Sequence, residues 1–234
     1  MAPDRRIALV AFAFAAALGL HAASSAAPAS ASSSASASAP APAPKTSSGA
    51  SAAAPASAAK VSLAPEEVMG DPKAKVTVIE YASAACPHCA HMNNDVLPQL
   101  KKAYIDTGKV RYVFREMLTD PVPFAGTAFM MARCGGDKNY FALLDDVFRQ
   151  QQAIYDSGDL PGGLLKIGAK YGLDKDKINA CMGEEAVKGL NDRVAQADKD
   201  GIQGTPTFVI GDAKLVGEQS YEQLAAAIDK QLAK

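Results

Sequence analysis

The stretch VTVIEYASAACPHCAH, residues 76–91, decides how this 234-residue chain is read. Residues 76–82 are mostly apolar and only weakly alternating, as a central strand buried on both faces should be. A short Ser/Ala turn leads into Cys86-Pro87-His88-Cys89, and a helical pattern follows at once. Two cysteines separated by two residues, where a strand hands over to a helix, suit reversible thiol–disulfide exchange. Cys86 is expected at the helix N-terminus, where unpaired backbone N–H groups and the positive end of the dipole stabilise a thiolate. Pro87 falls in the first turn, where its missing N–H costs nothing. His88 lies between the sulfurs and can add a hydrogen bond or a positive charge. Cys89, one turn in, is expected to be more buried and to act as the resolving thiol.

Three other uses of such a pair fit less well. A zinc site needs about four ligands, and this window offers only Cys86, Cys89, His88 and His91, too close in sequence to leave the helix intact. Haem attachment wants His directly after the second Cys, and position 90 is Ala. An inert structural disulfide would close a four-residue ring and so stabilise little. No metal and no cofactor is expected.

Toward the N-terminus, Arg5 and Arg6 precede an apolar run at 7–20, and small residues then offer cleavage sites between 22 and 27. That is the layout of a secretory signal peptide, placed at 1–23; an uncleaved anchor is the alternative. Export puts the cysteines in an oxidising compartment, and a bacterial periplasm is the expected location. Residues 24–60 are almost entirely Ala, Ser and Pro and cannot bury enough apolar surface to offset chain entropy. They read as a disordered linker spanning roughly 30–35 Å as a flexible coil.

Residues 61–234 suit one domain. Of the chain's 24 basic and 25 acidic residues, Arg5, Arg6, Lys45, Lys60 and Asp4 precede it, so the domain carries a net charge of −4. With no basic run, nucleic acid is not the expected partner. Its histidines, His88 and His91, both stand beside the cysteines, so no Ser/His/Asp hydrolase set can be assembled elsewhere.

The helix that begins at Cys86 carries Val96, Leu97, Leu100 and Tyr104 on one face, and Pro98 predicts a kink. Residues 109–115 read as a second strand. Helix-like segments follow at 124–134, 139–152, 164–171, 174–181 and 184–199, separated by Gly and Pro. After Gly204-Thr205-Pro206, residues 207–210 form a strand, Gly211-Asp212 a turn and 214–216 its partner. Ser220 to Gln223 open the last helix with a capping-box pattern, and Leu224, Ile228 and Leu232 form its apolar face. Strand, redox helix, strand, helical block, strand, hairpin, helix make an α/β, thioredoxin-like fold with a helical domain inserted at about 121–199.

The segments GDPKAKVTVIEYAS, CPHC, VLPQL, KVRYVFRE and GIQGTPTFVIG, followed by a terminal helix, together resemble the DsbA-like thiol:disulfide oxidoreductases. The resemblance covers most of 61–234. It implies that Cys86 is the nucleophile and Cys89 its buried partner. It also implies that Glu80 is a buried acid that moves protons to Cys89, and burial among apolar neighbours would raise its pKa. Pro206 matches the family's cis-proline beside the cysteines, and Thr205 before it would present its backbone to an extended substrate segment. Cys134 and Cys181 both end helical segments, so they can meet in a second, structural disulfide of the kind some relatives carry; two buried free thiols are the alternative.

Two departures bear on activity. Ala84-Ala85 are smaller than the residues often found before the motif, which implies a flatter surface beside the site. Thr before the cis-proline is common among isomerase-type and some oxidase-type relatives, whereas the best-known oxidases have Val. A dimeric isomerase, however, usually carries a folded dimerisation domain where this chain has its linker. The resemblance therefore implies a monomeric oxidase of reduced, unfolded exported proteins, recharged by a DsbB-like membrane partner. A disulfide isomerase or reductase is the alternative, as is a copper-binding or chaperone module that uses the fold without turnover.

Overall fold

The strand at residues 76–82 is β2 (Val76–Ala82), the middle strand of a five-stranded mixed sheet ordered β1-β3-β2-β4-β5. The computed structural model describes residues 66–234; the expected signal peptide and linker lie outside them. β2 runs parallel to β3 (Val110–Glu116) and antiparallel to β4 (Thr207–Ile210). β1 (Glu67–Met69) closes one edge against β3 and β5 (Ala213–Val216) the other against β4, both antiparallel. β1 has no counterpart in the sequence reading, because the three residues Glu67-Val68-Met69 are too few to show a periodicity.

The β2–β3 crossover is the redox helix. It begins as α1 (Pro87–His91), passes through a π-helical turn (Met92–Val96) into α2 (Leu97–Leu100), and ends in a second π-helical turn (Lys101–Ile105). The kink expected at Pro98 takes the form of the first π turn. Proline has no N–H with which to continue the ladder, and the wider turn absorbs the interruption. Gln99 Nε2 donates to the Asp95 carbonyl (2.8 Å) at that point. Val96, Leu100 and Tyr104 are buried and Leu97 partly so, which keeps the expected apolar face continuous across the break.

Between β3 and β4 lie α3 (Val122–Cys134), α4 (Tyr140–Ser157), α5 (Leu160–Lys170), α6 (Lys175–Cys181) and α7 (Glu184–Lys199). α5 starts four residues earlier than expected. Pro161 fits its first turn, and Asp159 caps it by accepting from Gly162 N (2.9 Å), so a Gly/Pro-rich stretch that reads as loop is helical. The block is fastened to the sheet through Glu116, which is 1% exposed. Its carboxylate accepts from Arg133 Nε (2.7 Å), Arg193 Nε (2.5 Å) and Tyr140 Oη (3.1 Å). Arg133 also pairs with Glu67 (2.8 Å), so β1, β3, α3, α4 and α7 meet at one buried charge network. The ends of α3 and α6 are joined by a Cys134–Cys181 disulfide with a Cα–Cα distance of 5.9 Å, within the usual range for such a bond.

The last helix, α8 (Tyr221–Leu232), carries both halves of its capping box: Ser220 Oγ accepts from Gln223 N (3.3 Å) and Gln223 Oε1 from Ser220 N (2.7 Å). Leu224 and Ile228 are buried against the sheet and Leu232 is partly so. Among the described residues, no helix is long and apolar enough to cross a membrane.

Candidate active site

Cys86 is the N-cap of α1, in extended conformation (φ −81°, ψ 122°), with Pro87 in the first turn. Its N–H donates to the Ser83 carbonyl (3.1 Å), and its own carbonyl accepts from Ala90 N (3.1 Å). Both cysteines are free thiols; Cys86 is 8% exposed and Cys89 1%. The two sulfurs have opposite electrostatics. A hydrogen bond from the Cys89 thiol, opposed by burial and supported by Thr205 and the backbone N–H groups of Cys89 and His88, pushes the Cys86 thiol down to about 5. Burial, and then the neighbouring Cys86 and Glu80, hold Cys89 well above the ordinary thiol range.

The loop before β4 lies against this pair. The Thr205–Pro206 peptide is cis, and the Thr205 carbonyl oxygen is 3.5 Å from Cys86 Sγ. Pro206 is held in turn, its carbonyl accepting from Gly217 N (2.8 Å) just beyond β5. A second cis peptide, Asp120–Pro121, precedes α3 and has no sequence signal of its own. The loop it belongs to reaches the motif through Thr119, whose N–H and hydroxyl both donate to Ser83 Oγ (3.2 and 2.9 Å).

Glu80 is buried (5% exposed) on β2 and accepts a hydrogen bond from the Tyr112 hydroxyl of β3. Burial raises its carboxyl to about 7, against the lowering effect of that hydrogen bond. An acid of this kind holds or releases a proton near neutrality, and it is close enough to Cys89 to be felt electrostatically.

His88 and Pro87 are exposed at the rim. The ring of His88 turns to Glu218, its Nδ1 lying 2.8 Å from Oε2, while His91 Nδ1 bonds Oε1 of the same carboxylate. Asp95 lies 3.0 Å from His91 Nε2. The Glu218 hydrogen bond, then the Cys86 charge, raise the pKa of His88. The side-chain hydrogen bond of His88 is thus spent on a residue that sequence reading missed. Glu218 lies well over a hundred residues away in an ordinary turn after β5, and only the β4–β5 hairpin, which returns the chain to Pro206, brings it here.

Ala84 and Ala85 do not form the flatter surface expected of them. They are 0% and 1% exposed, because side chains this small let α4 close over the turn. Gln151 and Tyr155 of α4 hydrogen-bond the backbone of this turn and were also missed, since on sequence they are unremarkable helix residues. Among the described residues, no group of three or more His, Cys, Asp or Glu is placed to hold a metal ion.

A family model described as Thioredoxin matches residues 63–230. The chain is 33% identical over 170 residues to a Rickettsia conorii protein named "Putative protein-disulfide oxidoreductase", covering 70% of this chain and 60% of that one. It thus spans about three fifths of the length of the curated relatives of this kind that it matches. The crystal structure of Wolbachia pipientis alpha-DsbA1 superposes with a TM-score of 0.65 at 32% identity, covering 73% of this chain and 92% of that one. Oxidised BdbD from Bacillus subtilis shares the fold at 21% identity, with a TM-score of 0.63 and coverage of 72% and 94%.

Proposed function

The chain belongs to the DsbA-like thiol:disulfide oxidoreductases of the thioredoxin superfamily, and from that premise we propose that it oxidises reduced, unfolded exported proteins through Cys86 and Cys89. The observation that carries this reading is the asymmetry of the pair: Cys86 pushed down to about 5 at a helix N-terminus, Cys89 buried and pushed up.

In the oxidised enzyme a substrate thiolate attacks Cys86 Sγ, the Cys86–Cys89 bond breaks, and its electron pair leaves on Cys89. A mixed disulfide results. Cys89 is held so far above the ordinary range that it takes up a proton as it leaves. Glu80, raised to about 7 and hydrogen-bonded by Tyr112, is the buried acid that supplies it. A second substrate thiolate then attacks the substrate sulfur of the mixed disulfide, and the electron pair leaves on Cys86. A thiol of low pKa is the better leaving group in that step and stabilises the reduced enzyme, which makes the couple more oxidising. Two substrate thiols become a disulfide, and the reduced pair is recharged by a DsbB-like membrane partner. The cis Thr205–Pro206 loop beside the sulfurs offers its backbone to an extended substrate segment. The setting for this cycle is the periplasm, and a monomer is sufficient for it.

Isomerisation is the second reading, prompted by a threonine before the cis-proline, but the Thr205 hydrogen bond lowers the Cys86 pKa, the direction that makes the couple more oxidising. Such a bond is worth only about 1 kcal/mol net, roughly 20 mV in a two-electron couple, too little to set the direction of exchange by itself. Two assays on the purified protein separate the readings, one following disulfide formation in a reduced substrate and the other recovery of a scrambled one. Net oxidation that depends on Cys86 is expected; strong recovery of the scrambled substrate with little net oxidation would overturn the oxidase reading.

A further inference from the structure

Three consecutive carbonyls lie between the end of β2 and the first turn of α1, and none can be satisfied by the sheet. β2 ends at Ala82, and the Ser83 carbonyl is taken by Cys86 N. Ala84 and Ala85 are buried away from water, so their carbonyls need donors from elsewhere, while that of Cys86 has only its first helical bond, from Ala90 N, and a free lone pair. α4 provides the donors. Gln151, 3% exposed, donates from Nε2 to the Ala84 carbonyl (2.7 Å) and to the Cys86 carbonyl (3.3 Å). Tyr155, one turn further on, donates its hydroxyl to the Ala85 carbonyl between them (3.0 Å).

We propose that Gln151 and Tyr155 are positioning residues of the redox motif, holding the carbonyls of residues 84–86 against α4 so that the backbone N–H groups of α1 stay aimed at the Cys86 sulfur. The chemistry of position 151 is specific. A carboxamide NH2 carries two hydrogens, one for each of two carbonyls. Glutamate, when ionised, has no donor to offer, and methionine has the length of glutamine without its hydrogens. The Cys86 carbonyl already accepts from Ala90 N as the first bond of the helix, and Gln151 fixes that same peptide from the other side. If the peptide rotates, the N–H groups of His88 and Cys89 lose their alignment on the sulfur, and a carbonyl lone pair can turn toward a developing thiolate. The helical block, through one face of α4, thereby acts on the reactivity of a cysteine that belongs to the sheet domain.

This inference rests on the reading of Cys86 as the reactive thiolate, and the test separates the two. Gln151→Met, Tyr155→Phe and, as a control for simple loss of packing, Ile154→Val are made in the full chain. Ile154 is buried on the same helix but has no part in these hydrogen bonds. Two quantities are measured: the pH titration of the Cys86 thiolate by its ultraviolet absorbance, and the equilibrium of the Cys86–Cys89 couple with glutathione. Gln151→Met is expected to reduce the thiolate fraction on the acid limb roughly tenfold and to make the couple less oxidising by a similar factor. Tyr155→Phe, which keeps the ring against Phe124 (centroids 5.3 Å apart), should move both in the same direction by roughly threefold. Ile154→Val should lower stability and move neither. Wild-type titration and equilibrium in Gln151→Met and Tyr155→Phe, or an equal shift in Ile154→Val, would overturn the positioning role. Should Gln151→Met fail to fold, Tyr155→Phe decides alone. A wild-type Cys86 that titrates like a free thiol would instead overturn the proposed function itself.

Discussion

Cys86 and Cys89 are the same residue type three positions apart, and position alone makes them different. One meets the open N–H groups of a helix start, and the other is sealed one turn in. The pH dependence of stability follows from this. The folded-state pKa of Cys86 is depressed from 9.0 to about 5, so its thiolate stabilises the reduced protein fully above about pH 9. That stabilisation is lost as pH falls toward 5. At pH 7 it amounts to about two units, roughly 3 kcal/mol. The disulfide form lacks this thiolate. Glu80, whose raised pKa costs stability as pH rises from about 4.5 toward 7, is present in both forms. The stability gap between reduced and oxidised protein should therefore narrow by roughly 2 kcal/mol between pH 7 and pH 5, where the thiol is still half ionised, which denaturant unfolding of both forms checks; a gap that stays flat would contradict the assignment. Glu80→Gln tests the neighbouring acid. It should keep the fold and slow the exchange step in which Cys89 leaves or attacks by roughly tenfold or more, as single-turnover kinetics across pH would show. The cysteines, the acid and the cis-proline were legible because their chemistry is written in residue type and spacing. Glu218, Gln151 and Tyr155 were not, because each acts only through a tertiary contact made from a distant element.

Elements with a strong local signal were read well from the sequence, and those set by their neighbours were not. β2, α7 and β4 fall where apolar patterning placed them, and α8 begins at the expected capping box. β1 escapes because an edge strand of three residues exists only by pairing with β3. The start of α5 escapes because its glycines and proline favour a loop until Asp159 caps them. The inserted block depends on long-range ties of the same kind. Its Cys134–Cys181 disulfide bridges residues 47 apart in sequence, for which the chain-entropy estimate is about 4 kcal/mol as an upper figure. The double variant Cys134→Ala/Cys181→Ala should lose roughly 2–4 kcal/mol of unfolding free energy while the Cys86–Cys89 pair still cycles. An unchanged denaturation midpoint would show that the bond adds nothing to stability.

Across the whole molecule, the sheet and the helical block converge on one turn. β2 delivers the motif, the loop before β4 sets Thr205 and Pro206 against it, and α4 covers it from the block. The sheet makes the site possible, and in the proposed function the depressed Cys86 thiol makes it an oxidant. The reduction potential of the Cys86–Cys89 couple, measured by equilibration with glutathione at pH 7, tests that claim most directly. A thioredoxin, with a thiol near 7, stands at about −270 mV. A thiol pushed down to about 5 adds not quite two further tenfold steps of thiolate stabilisation at that pH, each about 30 mV. The couple is therefore predicted at about −220 mV or above. A value at or below about −270 mV would mean a pair poised to reduce, and would contradict the account.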